Sequence, residues 1–303
     1  MLRAMEQLRA ACALVAARAQ HVQVVAEAIP AYASSLPPAA SSAAHPVLGG
    51  PRERLVAFWL TLDAINFGSG WFPTLQKRAE RSGYGTIASA IVERFEQRGP
   101  WSPEELMQID AHAIAGVLAQ DPNHELMALF ARSLRDLGSH VTRFATVVDA
   151  AGRSAIALVE QLSGWECFAD TSLYDGIALP FLKRAQLAAA DLARAGVAEF
   201  DDLDQLTMFA DNLVPHVLRL DGVLWFAPEL VARIERGELI AHESREEIEI
   251  RACALHAVEL IVAALRTGPG STSAADIDTL LWDRGQQPRY KATPRHRSPC
   301  TAY

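Results

Sequence analysis

A long helical pattern runs through residues 242–270, "HESREEIEIRACALHAVELIVAALRTGPG". Its apolar side chains recur at helical spacing, which predicts a long helix with most of one side buried. These apolar positions are Ile248, Ile250, Cys253, Leu255, Val258, Ile261 and Leu265. Alanine and leucine dominate the rest of the chain, and only 7% of residues are aromatic, so residues that favour strands are few. We therefore expect an all-α protein of roughly a dozen helices.

The 303 residues suit one large domain or two moderate ones, because cores stop growing near ~250–300 residues. We expect a single multi-helix domain over residues 1–303, with a Pro/Ser/Ala-rich loop at about 30–51. Ser102 and Glu105 have the spacing of a capping box, and Pro228 and Gly237 mark the start and end of another helix. Residues 288–303 are basic and broken by prolines, so we expect no helix there.

The first twenty residues mimic a secretory signal, with basic residues, a short apolar stretch and Ala-Arg-Ala before Gln20. Glu6 and Arg9 interrupt the apolar run, whereas Leu8, Cys12 and Val15 fit a helical stripe, so we prefer an amphipathic first helix. The four cysteines are far apart and predict unpaired thiols in a reducing, cytoplasmic compartment. No segment approaches ~18 charge-free apolar residues, so we expect no membrane partner.

The net charge of −8 argues against duplex nucleic acid as a partner, because such binding needs a basic surface. It leaves room for one small anionic ligand in a local basic pocket. The nine histidines are scattered and no Cys/His pair has metal-ligand spacing, so we expect no metal. "FGSG" at 67–70 lacks the third glycine and the strand of a dinucleotide fingerprint, and we expect no cofactor.

Two segments place polar residues in apolar surroundings. In "LTLDAINFGSGWFP" (60–73), Asp63 and Asn66 lie near the end of a predicted helix, where a simple polar cap is the favoured interpretation. In "YDGIALPFLKRAQLAAADL" (174–192), Lys183 and Arg184 fall in the first turn of a predicted helix, where cations oppose the dipole. Either an anion such as a phosphate binds there, or both side chains extend to water.

Two carboxylates also have either a structural or a functional interpretation. In "DQLTMFADNLVP" (204–215), Asp211 follows an apolar run that we predict to be helical. In "IDTLLWDRGQ" (277–286), Asp283 ends a predicted helix beside Trp282. A partly desolvated carboxylate next to large apolar side chains is costly unless it is paired or used. From the residues alone, each is either a solvated acid near a helix end or a carboxylate held for chemistry.

At these segments the sequence resembles the queuosine salvage family, whose members are queuosine 5'-phosphate N-glycosylases (hydrolases) that release queuine. Five runs match in the family's order: "LDAINFGSGWFP", "YDGIALPFLKRAQLAAADL", "LTMFADNLVPHVLR", "EIEIRACALHAVELI" and "IDTLLWDRGQ". The resemblance extends from about residue 21 to residue 303. It implies a helical fold similar to helix-hairpin-helix DNA glycosylases, with a pocket for a small nucleotide.

The resemblance also implies roles for residues. Asp211 corresponds to the catalytic aspartate of the family's "FAD" run, and Phe209 to the aromatic residue that packs on the 7-deazaguanine base. His21 is the best match for a ligand-binding histidine, and Asp283 for an acid that contacts the substrate. The remaining substrate-binding candidates are Met208, Arg284, Lys183, Arg184 and Asn66. The chain departs from the family at Leu182, at Asn212 and Leu213, at Arg284 and just after Asp283.

The expected activity is therefore hydrolysis of queuosine 5'-phosphate, a small-molecule substrate, through an oxocarbenium-like transition state that a carboxylate stabilises. Two other functions stay open. One is a non-catalytic helical module that binds a 7-deazaguanine nucleoside, and the other is a nucleic-acid base glycosylase.

Overall fold

The computed structural model describes residues 4–37, 46, 48–265 and 272–303. Over these residues the chain is mostly helical, with two small two-stranded sheets, which confirms the all-α prediction in its main feature. The helices are α1 (Ala4–Ala16), α2 (Ile29–Ser35), α3 (Arg52–Ala64), α4 (Gly83–Arg98), α5 (Pro103–Gln108), α6 (Ala111–Leu118), α7 (Glu125–His140), α8 (Phe144–Ala151), α9 (Ala155–Ser163), α10 (Lys183–Arg194), α11 (Val214–Leu220), α12 (Pro228–Glu235), α13 (Arg245–Leu265), α14 (Ala274–Arg284) and α15 (Pro288–Ala292). The strands are β1 (Val22–Val24), β2 (Ser172–Tyr174), β3 (Ile177–Leu179) and β4 (Leu224–Phe226).

The chain forms two compact units, each assembled from three separate segments. Unit 1 comprises Met1–Ala44, Thr171–Lys183 and Asp204–Pro299. Unit 2 comprises His45–Asp170, Arg184–Leu203 and Cys300–Tyr303. The expectation of a single domain stays a prediction.

Unit 1 is organised around α13, the long helix that the apolar pattern predicts. Helices α1, α2, α11 and α14 and strand β1 pack against it. Ile248, Val258 and Ile261 of α13 are buried, as the pattern predicts, while residues 266–271 lie outside the described part of the chain. Strand β1 pairs antiparallel with β4, so that Val22 lies opposite Phe226. Strands β2 and β3 form a hairpin whose turn, Asp175-Gly176, has φ angles of 47° and 81°, as a tight primed turn requires.

Unit 2 has α3 at its centre. Every residue of α3 from Val56 to Ala64 is buried, because α4, α7 and α8 all pack against this helix. Aromatic rings fill the space beside it, with Phe58 and Phe95 in edge-to-face contact at 5.3 Å between ring centres. The predicted capping box at Ser102 and Glu105 is present at the start of α5.

Two other sequence signals are confirmed. Helix α1 forms as predicted and buries Leu8, Cys12 and Val15. All four cysteines are free and buried. None of the helices in the described ranges is both long and apolar enough to cross a membrane.

Two loop predictions need correction. Residues 30–35 of the predicted loop belong to α2, where Pro30 occupies the first turn and Tyr32 is buried against the rest of unit 1. Residues 38–45 and 47 of that loop lie outside the described residues. The segment 288–303 is not free of helix, since Pro288 starts α15, whose Tyr290 is buried. In both places a proline fits the first helical turn and a buried tyrosine supplies the tertiary contact that holds a short helix.

Candidate active site

The segment that carries Asp211 has a different conformation from the predicted one. Residues 206–212 are not helical, and helix α11 begins only at Val214. The backbone N–H of Phe209 donates to Oδ1 of Asp278 at 3.0 Å, and the carbonyl oxygen of Ala210 accepts from Nε of Arg251 at 3.0 Å. These distant partners replace the hydrogen bonds of a helix. Asp211 therefore precedes a helix and does not follow one.

The carboxylate of Asp211 is anchored through one oxygen. Its Oδ1 accepts from the backbone N–H of Leu213 at 2.7 Å and of Val214 at 3.2 Å. Oδ2 takes part in no hydrogen bond to any residue of the described ranges, and the side chain is half-buried. The first oxygen fixes the direction of the carboxylate, while the second retains its lone pairs for water or a ligand.

Arg251 of α13 joins the Asp211 segment to the segment before α10. Its side chain is fully buried, its Nε holds Ala210, and its guanidinium lies 4.0 Å from the ring centre of Phe181. Glu247, one turn earlier on the same helix, is 3.7 Å from Nη1 of Arg251. Since Phe181 is two residues before Lys183, the Lys183 and Asp211 segments are held by one side chain of α13.

Lys183 begins α10, as predicted, and the residue before it is strained. Leu182 has a φ of 49°, in the left-handed region that side chains with a Cβ rarely adopt. Such positions cost of order 1–3 kcal/mol and cluster at functional sites. The alternative in which both cations extend to water is wrong, because Lys183 is only 6% exposed and Arg184 only 1%.

Arg184 and Asn66 lie in unit 2, at the end of α3. Nη1 of Arg184 donates to the carbonyl oxygen of Ala64, and the guanidinium lies 4.9 Å from the ring centre of Phe67. Burial lowers the pKa of Arg184, with nearby acidic groups opposing that effect. Nδ2 of Asn66 is 3.4 Å from Oδ1 of Asp63. These contacts fit the interpretation that polar groups cap the end of a helix.

Helix α14 supplies two carboxylates near the Asp211 segment. Asp278 is buried and holds Phe209, while Asp283 is half-buried in the last turn, as predicted. Gly285, just after the helix, lies so close to Leu213 that an added Cβ would be 2.8 Å from its side chain. Asp283 and Asp211 are therefore each two residues from this tight contact between the end of α14 and the start of α11.

Arg284 takes part in a buried polar cluster. Its Nη1 lies 2.9 Å from Oδ2 of Asp221 and 3.1 Å from the hydroxyl oxygen of Tyr32. The hydroxyl groups of Tyr32 and Tyr290 also donate to Asp221, at 2.8 and 2.7 Å. The contacts of Arg284 therefore tie α14 to α2 and α15, and they favour a structural role over the predicted contact with substrate.

His21 is anchored on another face of α13. Oε2 of the fully buried Glu249 accepts from the backbone N–H groups of Gln20, His21 and Val22, at 3.0, 2.6 and 3.2 Å. A helix turns by about 100° per residue, so Glu249 and Arg251 project to nearly opposite sides of α13. The contacts of the described residues do not bring His21 to Asp211.

Comparison with known proteins identifies the family. The family model described as queuosine salvage protein matches residues 45–303. The chain belongs to the queuosine salvage protein family. It is 36% identical over 266 residues to the queuosine 5'-phosphate N-glycosylase/hydrolase of Sphaerobacter thermophilus, covering 83% of this chain and 82% of that protein. The protein with the same name from Mus musculus is 27% identical over 282 residues, covering 84% and 83% of the two chains. That from Schizosaccharomyces pombe is 36% identical over 251 residues, covering 76% and 71%.

Three charged residues that support the backbone of the candidate site were not predicted from the sequence. Glu249 and Arg251 of α13 and Asp278 of α14 all hold the backbone of a site segment through their side chains. Their signal was a charged residue inside an apolar helical pattern, since a buried charge is costly unless it is paired. Asp221, which holds Arg284, had no comparable signal because it follows a helix in a polar turn.

Two predicted substrate-binding residues, one before the "FAD" run and one that begins it, are buried in unit 1. Met208 is fully buried and Phe209 is 4% exposed. The backbone of Phe209 is held by the hydrogen bond to Asp278. Within the described ranges, no group of three or more His, Cys, Asp or Glu residues is arranged to hold a metal ion.

Proposed function

We propose that this protein hydrolyses the N-glycosidic bond of queuosine 5'-phosphate and releases queuine for reuse in tRNA modification. The observation that carries the proposal is the geometry of Asp211, whose carboxylate is fixed through Oδ1 and makes no hydrogen bond through Oδ2 to the described residues. Membership of the queuosine salvage family supports the choice of substrate, since the related proteins carry the name of this activity.

Asp211 acts on the sugar. Cleavage of the N-glycosidic bond builds positive charge at C1' of the ribose, and a fixed carboxylate stabilises that charge as it develops. The same carboxylate orients the attacking water and accepts its proton. Because the N–H groups of Leu213 and Val214 hold Oδ1, the Asp211 carboxylate does not have to reorient when the N-glycosidic bond breaks.

The leaving group is a 7-deazapurine, which has no N7 to protonate, so the protein must stabilise the departing base by stacking and hydrogen bonds. Phe209, two residues before Asp211, is the proposed stacking partner. Asp283 is the proposed partner of the cationic amine on the cyclopentenediol arm, and its place near the start of α11 supports this. His21 stays a candidate for a base contact, although its anchor lies on another face of α13.

Lys183 is the proposed ligand of the 5'-phosphate. It stands in the first turn of α10, where the positive end of the helix dipole favours an anion. The strained Leu182 and the Arg251 contact with Phe181 support this position. Arg184 and Asn66 are left out of the proposal, because their contacts are those of a helix cap. A cytoplasmic location also stays a prediction.

One experiment tests the activity directly. The purified protein is incubated with queuosine 5'-phosphate, and free queuine is measured by mass spectrometry, with the Asp211→Asn variant as control. We expect queuine from the wild-type protein and almost none from the variant. Tight binding without queuine would indicate a binding module instead, and release of bases from DNA would indicate a nucleic-acid glycosylase.

A further inference from the structure

The two residues that flank α11 both contact the end of α14. Before the helix, the side chain of Leu213 packs so closely on Gly285 that it leaves no room for a Cβ there. After the helix, the carboxylate of Asp221 accepts from Nη1 of Arg284 at 2.9 Å. Arg284 and Gly285 directly follow Asp283, the proposed partner of the substrate's cationic arm. Asp283 therefore lies in a turn that is fixed to α11 at two points.

Asp221 is the centre of the second of these fixed points. Its side chain is only 7% exposed, and the hydroxyl groups of Tyr32 and Tyr290 donate to its two oxygens at 2.8 and 2.7 Å. A buried carboxylate is costly unless donors satisfy it, and here two hydroxyl groups and one guanidinium do so. The donors belong to α2, α15 and α14, so Asp221 holds the end of α14 against two other helices. An asparagine at this position would remove the charge that Arg284 pairs with.

Other contacts hold the remaining parts of the candidate site. A backbone N–H group at the start of α11 donates to Oδ1 of Asp211 at 2.7 Å. Earlier in α14, Oδ1 of Asp278 accepts from the backbone N–H of Phe209 at 3.0 Å. Neither hydrogen bond involves Asp221. Loss of the Asp221 carboxylate should therefore loosen the end of α14 while the hydrogen bonds to Asp211 and Phe209 stay in place.

We propose that Asp221 is a positioning residue for Asp283, and that it thereby makes the protein selective for a 7-deazaguanine base that carries a cationic arm. The inference rests on the proposed function, in which Asp211 acts at C1' and Asp283 pairs with the amine of the arm. Both carboxylates are attached to α11, Asp211 through its hydrogen bonds and Asp283 through the end of α14. A group that is held in place before binding loses less freedom on binding, so an amine pairs more tightly with a fixed carboxylate than with a mobile one.

The test compares a substrate that has the arm with one that lacks it. For the wild type, Asp221→Asn and Asp283→Asn, kcat and KM are measured with queuosine 5'-phosphate and with 7-deazaguanosine 5'-phosphate. We expect Asp221→Asn to lower kcat/KM for queuosine 5'-phosphate roughly tenfold, as for a weakened hydrogen bond to a charged group, and to change it less than about twofold for the compound without the arm. Equal losses on both substrates would overturn the proposal, because a purely structural role of Asp221 lowers the amount of folded protein for both alike.

A double variant tests whether Asp221 acts through Asp283. If it does, Asp221→Asn should reduce the preference for queuosine 5'-phosphate no further in the Asp283→Asn background, whereas independent effects multiply. Multiplied losses of preference would contradict the positioning role. Asp204→Asn, which removes an exposed carboxylate of the same unit, is the control for net charge and should leave the activity on both substrates unchanged.

Urea unfolding of each variant identifies any that fail to fold. If Asp221→Asn does not fold, Tyr32→Phe replaces it, because this change removes the hydroxyl group that contacts both Asp221 and Arg284 and keeps the buried ring. We expect the preference for queuosine 5'-phosphate to fall by about threefold, as for one neutral hydrogen bond. An unchanged preference in folded Tyr32→Phe protein would overturn the proposal.

Failure of the proposed function gives a different result. If the wild-type protein does not cleave both compounds, calorimetry with queuine and 7-deazaguanine still tests Asp221. Tighter binding of queuine than of 7-deazaguanine by the wild type, with that preference reduced in Asp221→Asn, supports the proposal. The same preference in wild type and variant, or no preference in the wild type, overturns it.

Discussion

Asp211→Asn separates the structural work of Asp211 from its proposed chemistry. The asparagine carbonyl oxygen can still accept from Leu213 and Val214, so the start of α11 keeps both of its hydrogen bonds. Because both hydrogen bonds are kept, we expect the free energy of unfolding to change by less than about 1 kcal/mol. The variant loses the negative charge, however, and with it the stabilisation of C1'.

The expected loss of activity is large by comparison. Removal of a fixed electrostatic group and of a general base each reduces rates by about a hundredfold to a thousandfold or more. We expect kcat for queuine release to fall at least about a thousandfold, equivalent to about 4 kcal/mol of transition-state stabilisation. The assay is mass-spectrometric detection of queuine over time, beside urea unfolding of the same preparation.

Asp211→Ala is the matched control. It removes both the charge and the two hydrogen bonds to Leu213 and Val214, so it should be as inactive as Asp211→Asn but less stable than it by about 1–3 kcal/mol. The reasoning fails if Asp211→Asn turns over at close to the wild-type rate, since a residual carboxamide cannot stabilise a developing cation or accept a proton. It fails equally if the loss of activity tracks the loss of stability across the two variants.

Three further predictions follow from other contacts. Lys183→Ala should raise KM for queuosine 5'-phosphate roughly tenfold and change the unphosphorylated nucleoside little, and an equal effect on both would remove Lys183 from the phosphate site. Gly285→Ala should destabilise the protein by about 1–3 kcal/mol and lower kcat, because the new methyl group meets the residue that anchors Asp211. Gly116→Ala is its control, since an added Cβ there meets nothing within 4 Å. Burial lowers the pKa of His216 to about 4 and that of His296 to about 3, so the unfolded state takes up protons first as pH falls. The free energy of unfolding should therefore decrease from about pH 6.5 downward, by about 2 kcal/mol per histidine between pH 7 and pH 5, and His216→Gln should remove part of that slope in urea titrations.

The helices that could be predicted are those with local signals. Apolar spacing predicted α13, and the Ser102–Glu105 box predicted the start of α5. The same reasoning placed Lys183 in the first turn of α10 and Asp283 in the last turn of α14. In each case the segment itself contains a capping residue, a proline or a periodic apolar face. The ends of the helix can therefore be predicted without knowing which other segments pack against it.

The prediction failed where distant side chains capture the backbone. Residues 206–212 have the composition of a helix, but two distant side chains bind peptide groups of this segment. Asp278 binds Phe209 across 69 residues of sequence, and Arg251 binds Ala210 across 41. Tertiary hydrogen bonds of this kind stabilise the extended conformation by more than helix propensities, which differ by a few tenths of a kcal/mol per residue, favour a helix. Arg284 illustrates the same point, because its partner Asp221 is 63 residues away and no local pattern joins them.

The buried charges of α13 explain why the candidate site is held through the backbone. A buried ion pair such as Glu247 with Arg251 is a weak source of stability, since desolvation offsets much of the attraction. What Arg251 adds is a fixed donor to Ala210 and a flat surface against Phe181, both within two residues of a proposed site residue. An apolar side chain could fill the same volume, but it could not hold a carbonyl oxygen in place. We therefore expect Arg251 to help position Asp211, because its buried side chain holds the carbonyl oxygen of the preceding residue.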